Sequence, residues 1–417
     1  MIRRNLEHIV KRSLRDMPVV LLNGARQTGK TTLVRAIAEG RPGTRYVTLD
    51  DAATLAAART DPTGFVEGLG QRVVFDEVQK APELFPALKL EVDRRRTPGR
   101  FLLTGSADVL SLPSLSESLA GRMEPRVLWP LSRGEIEGAE EFFVGAMFAK
   151  SPPRPITSGS NRGDVVARAL RGGYPDVFRR SEARRRDWFD AYVTTILQRD
   201  VRDLADIEHL SAVPRILSLL ATRAGALLNT ADLSRTSGVP NTTLQRYLAL
   251  LEHTFLLHLI PAWSSNRSKR LIKTPKVALV DTGLLAHLAG ITAARLRREP
   301  DLAGPLLENL VAVEIWKQLG WSSVRAQLFH FRTHGGREVD LVLEADDGRV
   351  VGIEVKASST VAARDFAGIE ALRDETRAHF YRGVVLYTGA EPLPFGNRLF
   401  ALPISALWEM GVARAGS

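Results

Sequence analysis

The 417-residue chain contains no cysteine, which excludes a disulfide framework and a thiolate metal site. No apolar run is long enough to cross a bilayer, because charged residues interrupt the longest candidates. The opening residues, Met1-Ile2-Arg3-Arg4-Asn5-Leu6-Glu7, lack the apolar core and cleavage site of a secretory signal. No unit recurs at a fixed period, which argues against a solenoid. Together these absences predict a cytoplasmic protein with no membrane partner. Acids are in deficit: 47 Asp and Glu against 57 Lys and Arg leave a formal net charge of +10, which favours polyanionic partners. An apolar share of 44% and a charged share of 25% are those of a globular protein. The length predicts two or three domains.

What is present begins with Val19-Val20-Leu21-Leu22, an apolar β-branched run that reads as a buried parallel strand. It feeds into Gly24-Ala25-Arg26-Gln27-Thr28-Gly29-Lys30-Thr31-Thr32, which carries the G-x-x-x-x-G-K-T spacing of a phosphate-binding loop. Gly24 and Gly29 let consecutive backbone N–H groups converge on phosphate oxygens. Lys30 brings a point charge to the β- and γ-phosphates, and the Thr31 hydroxyl can ligate Mg²⁺. Leu33 to Ala38 continues as a helix whose N-terminus faces the anion. The nucleotide predicted here is ATP, hydrolysed by water to ADP and phosphate.

Tyr46-Val47-Thr48-Leu49 reads as a second strand ending in Asp50-Asp51, and Arg72-Val73-Val74-Phe75 as a third ending in Asp76-Glu77. At this distance after a phosphate loop, Asp76 is expected to hold Mg²⁺ and Glu77 to polarise the attacking water. Arg100-Phe101-Leu102-Leu103-Thr104-Gly105-Ser106 is a further buried strand ending in small polar residues. Strand–helix–strand units of this kind build a parallel sheet covered by helices. Arg122, on a short segment after that strand, is placed to meet the γ-phosphate of its own or a neighbouring subunit, leaving a homo-oligomer open.

The stretch from Gly24 to Arg122, with Leu128-Trp129-Pro130-Leu131-Ser132, Gly172-Gly173-Tyr174-Pro175 and Gln198-Arg199-Asp200-Val201, resembles the prokaryotic AAA-type ATPases that carry a C-terminal domain of unknown function. The resemblance spans nearly the whole chain. It implies a polar sensor at the end of the Arg100 strand, matched by Thr104 with Ser106 close behind. It also singles out Ser118-Leu119-Ala120-Gly121-Arg122 as a hallmark, which sets Arg122 apart from other arginines.

Residues 151–163 are rich in Pro, Ser and Gly and read as a linker. Helices dominate beyond it. Leu227 to Tyr247 reads as a capped helix, a glycine turn at Gly238 and a second helix from Asn241 with polar residues outward. That pattern, followed by strands, predicts a winged-helix module. Arg267, Lys269, Arg270, Lys273 and Lys276 would flank its wing and contact DNA phosphates.

Further on, Gly304 to Ile315 reads as a helix, followed by the strands Arg337–Glu344 and Val350–Lys356. Glu354 and Lys356 share one strand face. The arrangement resembles the PD-(D/E)xK restriction-endonuclease fold. The resemblance implies that Glu308, Asp340 and Glu354 bind a second Mg²⁺ or Mn²⁺ and that Lys356 assists the attacking water, with Glu314 a rival to Glu308. Val339 stands where that pattern usually has proline.

The expected architecture is therefore α/β: an AAA-like phosphate-loop domain over residues 1–150, the linker, a helical and winged-helix domain over 164–294, and a nuclease-like α/β domain over 295–417. The expected function is Mg²⁺-dependent ATP hydrolysis directed at DNA. The alternative is a nucleotide-controlled switch whose nuclease-like domain is an inactive platform for a protein partner.

Overall fold

The computed structural model describes residues 2–106, 118–154, 160–196, 212–333 and 335–410. The Gln198-Arg199-Asp200-Val201 segment named above lies outside the described residues. The chain divides into two compact units, Met1–Leu131 with His253–Phe255, and Ser132–Glu252 with Leu256–Ser417. No helix among the described residues is long and apolar enough to cross a membrane.

The first unit is built on five strands: β1 (Val19–Asn23), β2 (Thr44–Thr48), β3 (Arg72–Asp76), β4 (Phe101–Thr104) and β5 (Met123–Val127). All neighbouring pairs are parallel, in the spatial order β2-β3-β4-β1-β5. Every residue of β1 is buried, as expected of a strand covered on both faces, where no alternation of polar and apolar residues is needed. Phe75 and Phe101 pack ring against ring at 6.2 Å in the core beneath the helix Leu84–Arg94. Burial of each ring contributes about 2–3 kcal/mol.

β5 escapes a reading by pattern. Its sequence, Met-Glu-Pro-Arg-Val, carries two charges and a proline, and it is half-exposed at the sheet edge, where a missing N–H costs least. Because β1 stands between β4 and β5, the segment leaving β1 emerges where the strand order reverses. Open parallel sheets place ligand crevices there, beyond the carboxyl ends of the strands.

The second compact unit takes in residues 132–150. Long side chains from the C-terminal sheet hold them. Arg382 donates to the carbonyls of Ala146 at 2.6 Å and of Ala149 and Ser151 at 3.0 Å each. These bonds satisfy carbonyl groups left over at the end of the helix Phe143–Phe148.

The helical part contains Val213–Ala221, Thr230–Ser237 and Asn241–His253. Asn229 caps the second of these by accepting the Asp232 N–H at 2.9 Å, and Gly238 ends it in the left-handed region at φ +76°. A Cβ at that φ would be strained, so glycine is needed for the tight turn. Two antiparallel strands follow, β6 (Leu257–Ile260) and β7 (Lys276–Leu279). The outer edge of β7 is fully used. Val277 exchanges hydrogen bonds with Gly225 and Ala226. The Asn309 side-chain amide accepts from the Leu279 N–H and donates to the Leu279 carbonyl, both at 2.9 Å.

The C-terminal sheet has the order β12-β13-β11-β10-β9-β8, formed by β8 (Ala326–Arg332), β9 (Glu338–Ala345), β10 (Val350–Lys356), β11 (Phe380–Tyr387), β12 (Leu393–Gly396) and β13 (Leu399–Pro403). It is mixed: β10, β11 and β13 run parallel, whereas β8, β9 and β12 pair antiparallel. Strand alternation divides its side chains. Leu341, Leu343, Val351 and Ile353 join the core of the helix Ala303–Leu319, and Val342 and Val350 join that of the helix Ala367–Thr376. The helix Ala303–Leu319 is buried on most of its circumference. It therefore has few solvent-facing positions, and its polar residues need partners inside.

Candidate functional site

The loop after β1 joins that strand to the helix Lys30–Glu39. Gly24 sits at φ +142°, and a Cβ there would lie 2.3 Å from the Leu128 carbonyl oxygen, so only glycine fits. Gly29 at φ +95° turns the chain into the helix Lys30–Glu39. Lys30 Nζ donates to the carbonyls of Gly24 at 2.7 Å and Ala25 at 2.8 Å, and Thr28 Oγ1 donates to the Ala25 carbonyl at 3.0 Å. Arg4 was not foreseen. Its guanidinium donates to the carbonyls of Thr28 and Trp129, both at 2.7 Å, and so ties the loop to the chain after β5.

At the ends of β3 and β4, Asp76 is 2% exposed and surrounded by hydroxyls. Thr31 Oγ1 donates to its Oδ2 at 2.9 Å, Tyr46 Oη donates to the same oxygen at 2.5 Å, and Thr104 Oγ1 donates to Oδ1. Burial, and then the bond to Asp76, push the Tyr46 phenol up to about 12, so it stays a donor. Arg35 lies over the Tyr46 ring at 4.6 Å. Thr104 Oγ1 also accepts the Glu77 N–H at 3.0 Å, which places this threonine between the two acids. Glu77 holds φ +62°, uncommon for a residue with a side chain. Its carboxylate accepts from Ser106 Oγ at 3.1 Å and from Gln79 Nε2. Thr31 and Asp76 together offer hard oxygen donors of the kind Mg²⁺ takes.

Arg122 stands elsewhere. Its carbonyl accepts the Val19 N–H, so it lies at the N-terminal end of β1, five residues from the loop. That span is about 17 Å. Its guanidinium is chelated by Asp93 at 2.6 and 3.0 Å. Within this chain it does not meet the phosphate-binding loop.

The C-terminal constellation assembles in part. Glu308, Asp340 and Glu354 converge, but Lys276 of β7 lies between them. Its Nζ is 2.8 Å from Glu308 Oε1 and 3.1 Å from Asp340 Oδ1. The other Asp340 oxygen accepts the Val355 N–H at 2.9 Å, and Lys356 Nζ is 2.8 Å from Glu354 Oε1. Burial and then the Asp340 charge raise Glu308 to about 8 and Glu354 to about 7. Burial opposes the charge on Lys276, yet Glu308 and Asp340 hold its pKa above the ordinary value.

These contacts correct two expectations. Among the described residues, no group of three or more His, Cys, Asp or Glu side chains is arranged to hold a metal ion; an ammonium stands where Glu308, Asp340 and Glu354 were expected to bind one. Lys276 is only 4% exposed, and Arg270 is paired with Glu344 at 2.6 Å, so neither is available to a DNA phosphate. Of the two helix acids, Glu308 shares Lys276 with Asp340, whereas Glu314 is bound by Lys317 at 2.6 Å and by the Arg133 N–H at 2.8 Å.

Comparison with known proteins places the chain in a family. Residues 16–137 match the AAA domain family, 162–295 a domain of unknown function (DUF8612) and 303–407 another (DUF4143). Uncharacterized proteins of Mycobacterium bovis and Mycobacterium tuberculosis are each 34% identical over 413 residues, covering 98% of this chain and 85% of theirs. The chain belongs to the AAA-type ATPases that carry a C-terminal DUF4143 domain. An uncharacterized protein of Haemophilus influenzae matches this ATPase at 26% identity over 52% of the chain and 51% of its own length. A Walker-type ATPase of Pyrococcus abyssi aligns with 69% of this ATPase and 96% of its own chain, at 16% identity and a TM-score of 0.42.

Proposed function

We propose that this ATPase hydrolyses ATP with Mg²⁺ and couples hydrolysis to DNA. The observation that carries the catalytic part is the network joining Thr31, Asp76, Thr104 and Glu77. The phosphate loop and Lys30 bind the nucleotide phosphates. Thr31 and Asp76 hold the metal, which neutralises charge on the β- and γ-phosphates when bound. Glu77 orients water and accepts its proton, and Thr104 keeps the two acids in register. Arg122 faces away from its own loop, so its catalytic contact is with the γ-phosphate of a neighbouring copy.

The DNA part rests on the helical module, which we read as a winged helix. Asn241, Thr242, Gln245 and Arg246 are exposed at the start of the helix that follows the Gly238 turn, the position that reads base edges in such modules. Arg267 and Lys269 stay exposed, and Lys273 partly so, on the segment joining β6 to β7. The excess of positive charge over the chain favours the same partner. ATP hydrolysis measured with single-stranded, duplex and branched DNA tests the reading. Stimulation that Arg246→Ala or Lys269→Ala weakens, and that falls steeply with salt, is the expected result. An unchanged rate with all three DNAs rules it out.

A second reading is favoured by Lys276. With an ammonium among its carboxylates, the C-terminal domain suits a catalytically inactive platform whose protein contacts follow the nucleotide state. Nucleotide-dependent capture of a protein with no effect of DNA would select it.

A further inference from the structure

We propose that Lys276 is the resident cation of the C-terminal carboxylate cluster, standing permanently in place of a divalent ion and closing that site to metal. This builds on the C-terminal reading above and is independent of whether DNA stimulates the ATPase.

Three features carry it. The first is reach: one ammonium contacts both Glu308 at 2.8 Å and Asp340 at 3.1 Å, so it occupies the point where a bridging cation would sit. A divalent ion bound by both carboxylates would lie against that ammonium and be repelled. The second is anchorage. Lys276 does not sit on a free loop: it pairs with Ile260 in the hairpin and bridges to Leu227. Three residues on, β7 is clamped by Asn309, which lies one position after Glu308 on the same helix. The strand that brings the lysine and the helix that brings the glutamate are thus joined twice. Gly225, at φ +79°, allows close passage, since a Cβ there would lie 2.7 Å from Glu308 Oε2.

The third feature is charge. Glu308, Asp340 and Glu354 present three acids, while Lys276 and Lys356 supply two cations inside the same cluster. Three acids against two cations leave at most one charge uncompensated, and a Mg²⁺ or Mn²⁺ bridging Glu308 and Asp340 would have to displace the Lys276 ammonium that already joins them. Glu354 Oε2 is buried with no hydrogen-bond partner, so one acceptor remains for an ion once the lysine is gone. Removing Lys276 alone should therefore expose a carboxylate cluster able to take a metal.

The test counts Mn²⁺ ions bound by the full chain without nucleotide, by electron paramagnetic resonance. Wild type and Asp340→Asn should bind the same number. One ion more in the wild type overturns the proposal, and this comparison needs no alteration of Lys276. Lys276→Met should bind one ion more than wild type, should melt at lower temperature without metal, and should recover with Mn²⁺. Adding Asp340→Asn to Lys276→Met should abolish both the extra ion and the recovery. Lys276→Arg, which keeps the charge, should gain no ion. A folded Lys276→Met chain that takes up no additional Mn²⁺ also overturns the proposal.

Discussion

Tyr46 offers a demanding test of the ATPase site, because it lies outside the phosphate loop and still bears on metal binding. Its hydroxyl donates at 2.5 Å to Asp76 Oδ2, the oxygen that also accepts from Thr31. With Thr31 engaged by Mg²⁺ as proposed, Asp76 would keep Tyr46 and Thr104 as its orienting donors. Tyr46→Phe removes one of them without changing the ring. A hydrogen bond to a charged group contributes about 1.5–3 kcal/mol, and about 1.4 kcal/mol corresponds to a tenfold change. Tyr46 is partly exposed, so water can replace some of the loss. The lower end applies: half-saturating Mg²⁺ for ATP hydrolysis should rise about tenfold. ATP binding without Mg²⁺ should stay the same, since Lys30 and its loop are untouched. An unchanged Mg²⁺ requirement, or equal loss of metal-free ATP binding, would refute the positioning role.

Three further outcomes follow from the geometry. Glu77→Gln should retain ATP but lower turnover by about 10²- to 10⁴-fold; wild-type turnover would remove Glu77 as the base. Arg122→Ala should lower turnover by about 10³-fold or more with little change in ATP affinity, and mixing it with Lys30→Ala chains should restore part of the activity, whereas no recovery excludes action on a neighbouring copy. The Glu308 and Glu354 pKa values lie above their ordinary 4.5, so their contribution to stability is full below that value and is lost as pH rises through about 7 to 8. Denaturant unfolding followed from pH 5 to 8 should show this decline, and Glu308→Gln should make it shallower, though Glu141, raised to about 8 by burial and Glu314, keeps some of it.

What could be read from the sequence depended on how local the chemistry is. The phosphate loop needs two glycines, a lysine and a threonine within eight residues, and the acids end the strand that bears them, so both were legible. Thr104 was legible as the polar end of an apolar strand. Tyr46 was not, because an aromatic residue in a strand carries no sign that its hydroxyl meets an acid thirty positions away. Lys276 and Arg270 look like surface cations in a basic stretch; only the folded chain shows Glu308, Asp340 and Glu344 waiting for them. Arg122 follows the strand Phe101–Thr104 in sequence, but a parallel sheet returns the chain to its opposite end before the next strand begins. Order along the chain therefore says little about which end of the sheet a connecting residue occupies.

The Asn309 amide, bonded to both backbone groups of Leu279, bears on how the protein tolerates being cut. A strand with an open edge is a template on which other chains can add. Here one side chain from the helix Ala303–Leu319 does the work of a neighbouring strand, and Gly225 with Ala226 completes the cover. A fragment ending near residue 300, at the apparent seam between two sequence families, would lose that amide and bare the apolar segment Val277-Ala278-Leu279. Such a fragment should self-associate or swap strands through that edge. Proteolysis at that seam would then yield an aggregating product rather than a soluble helical module.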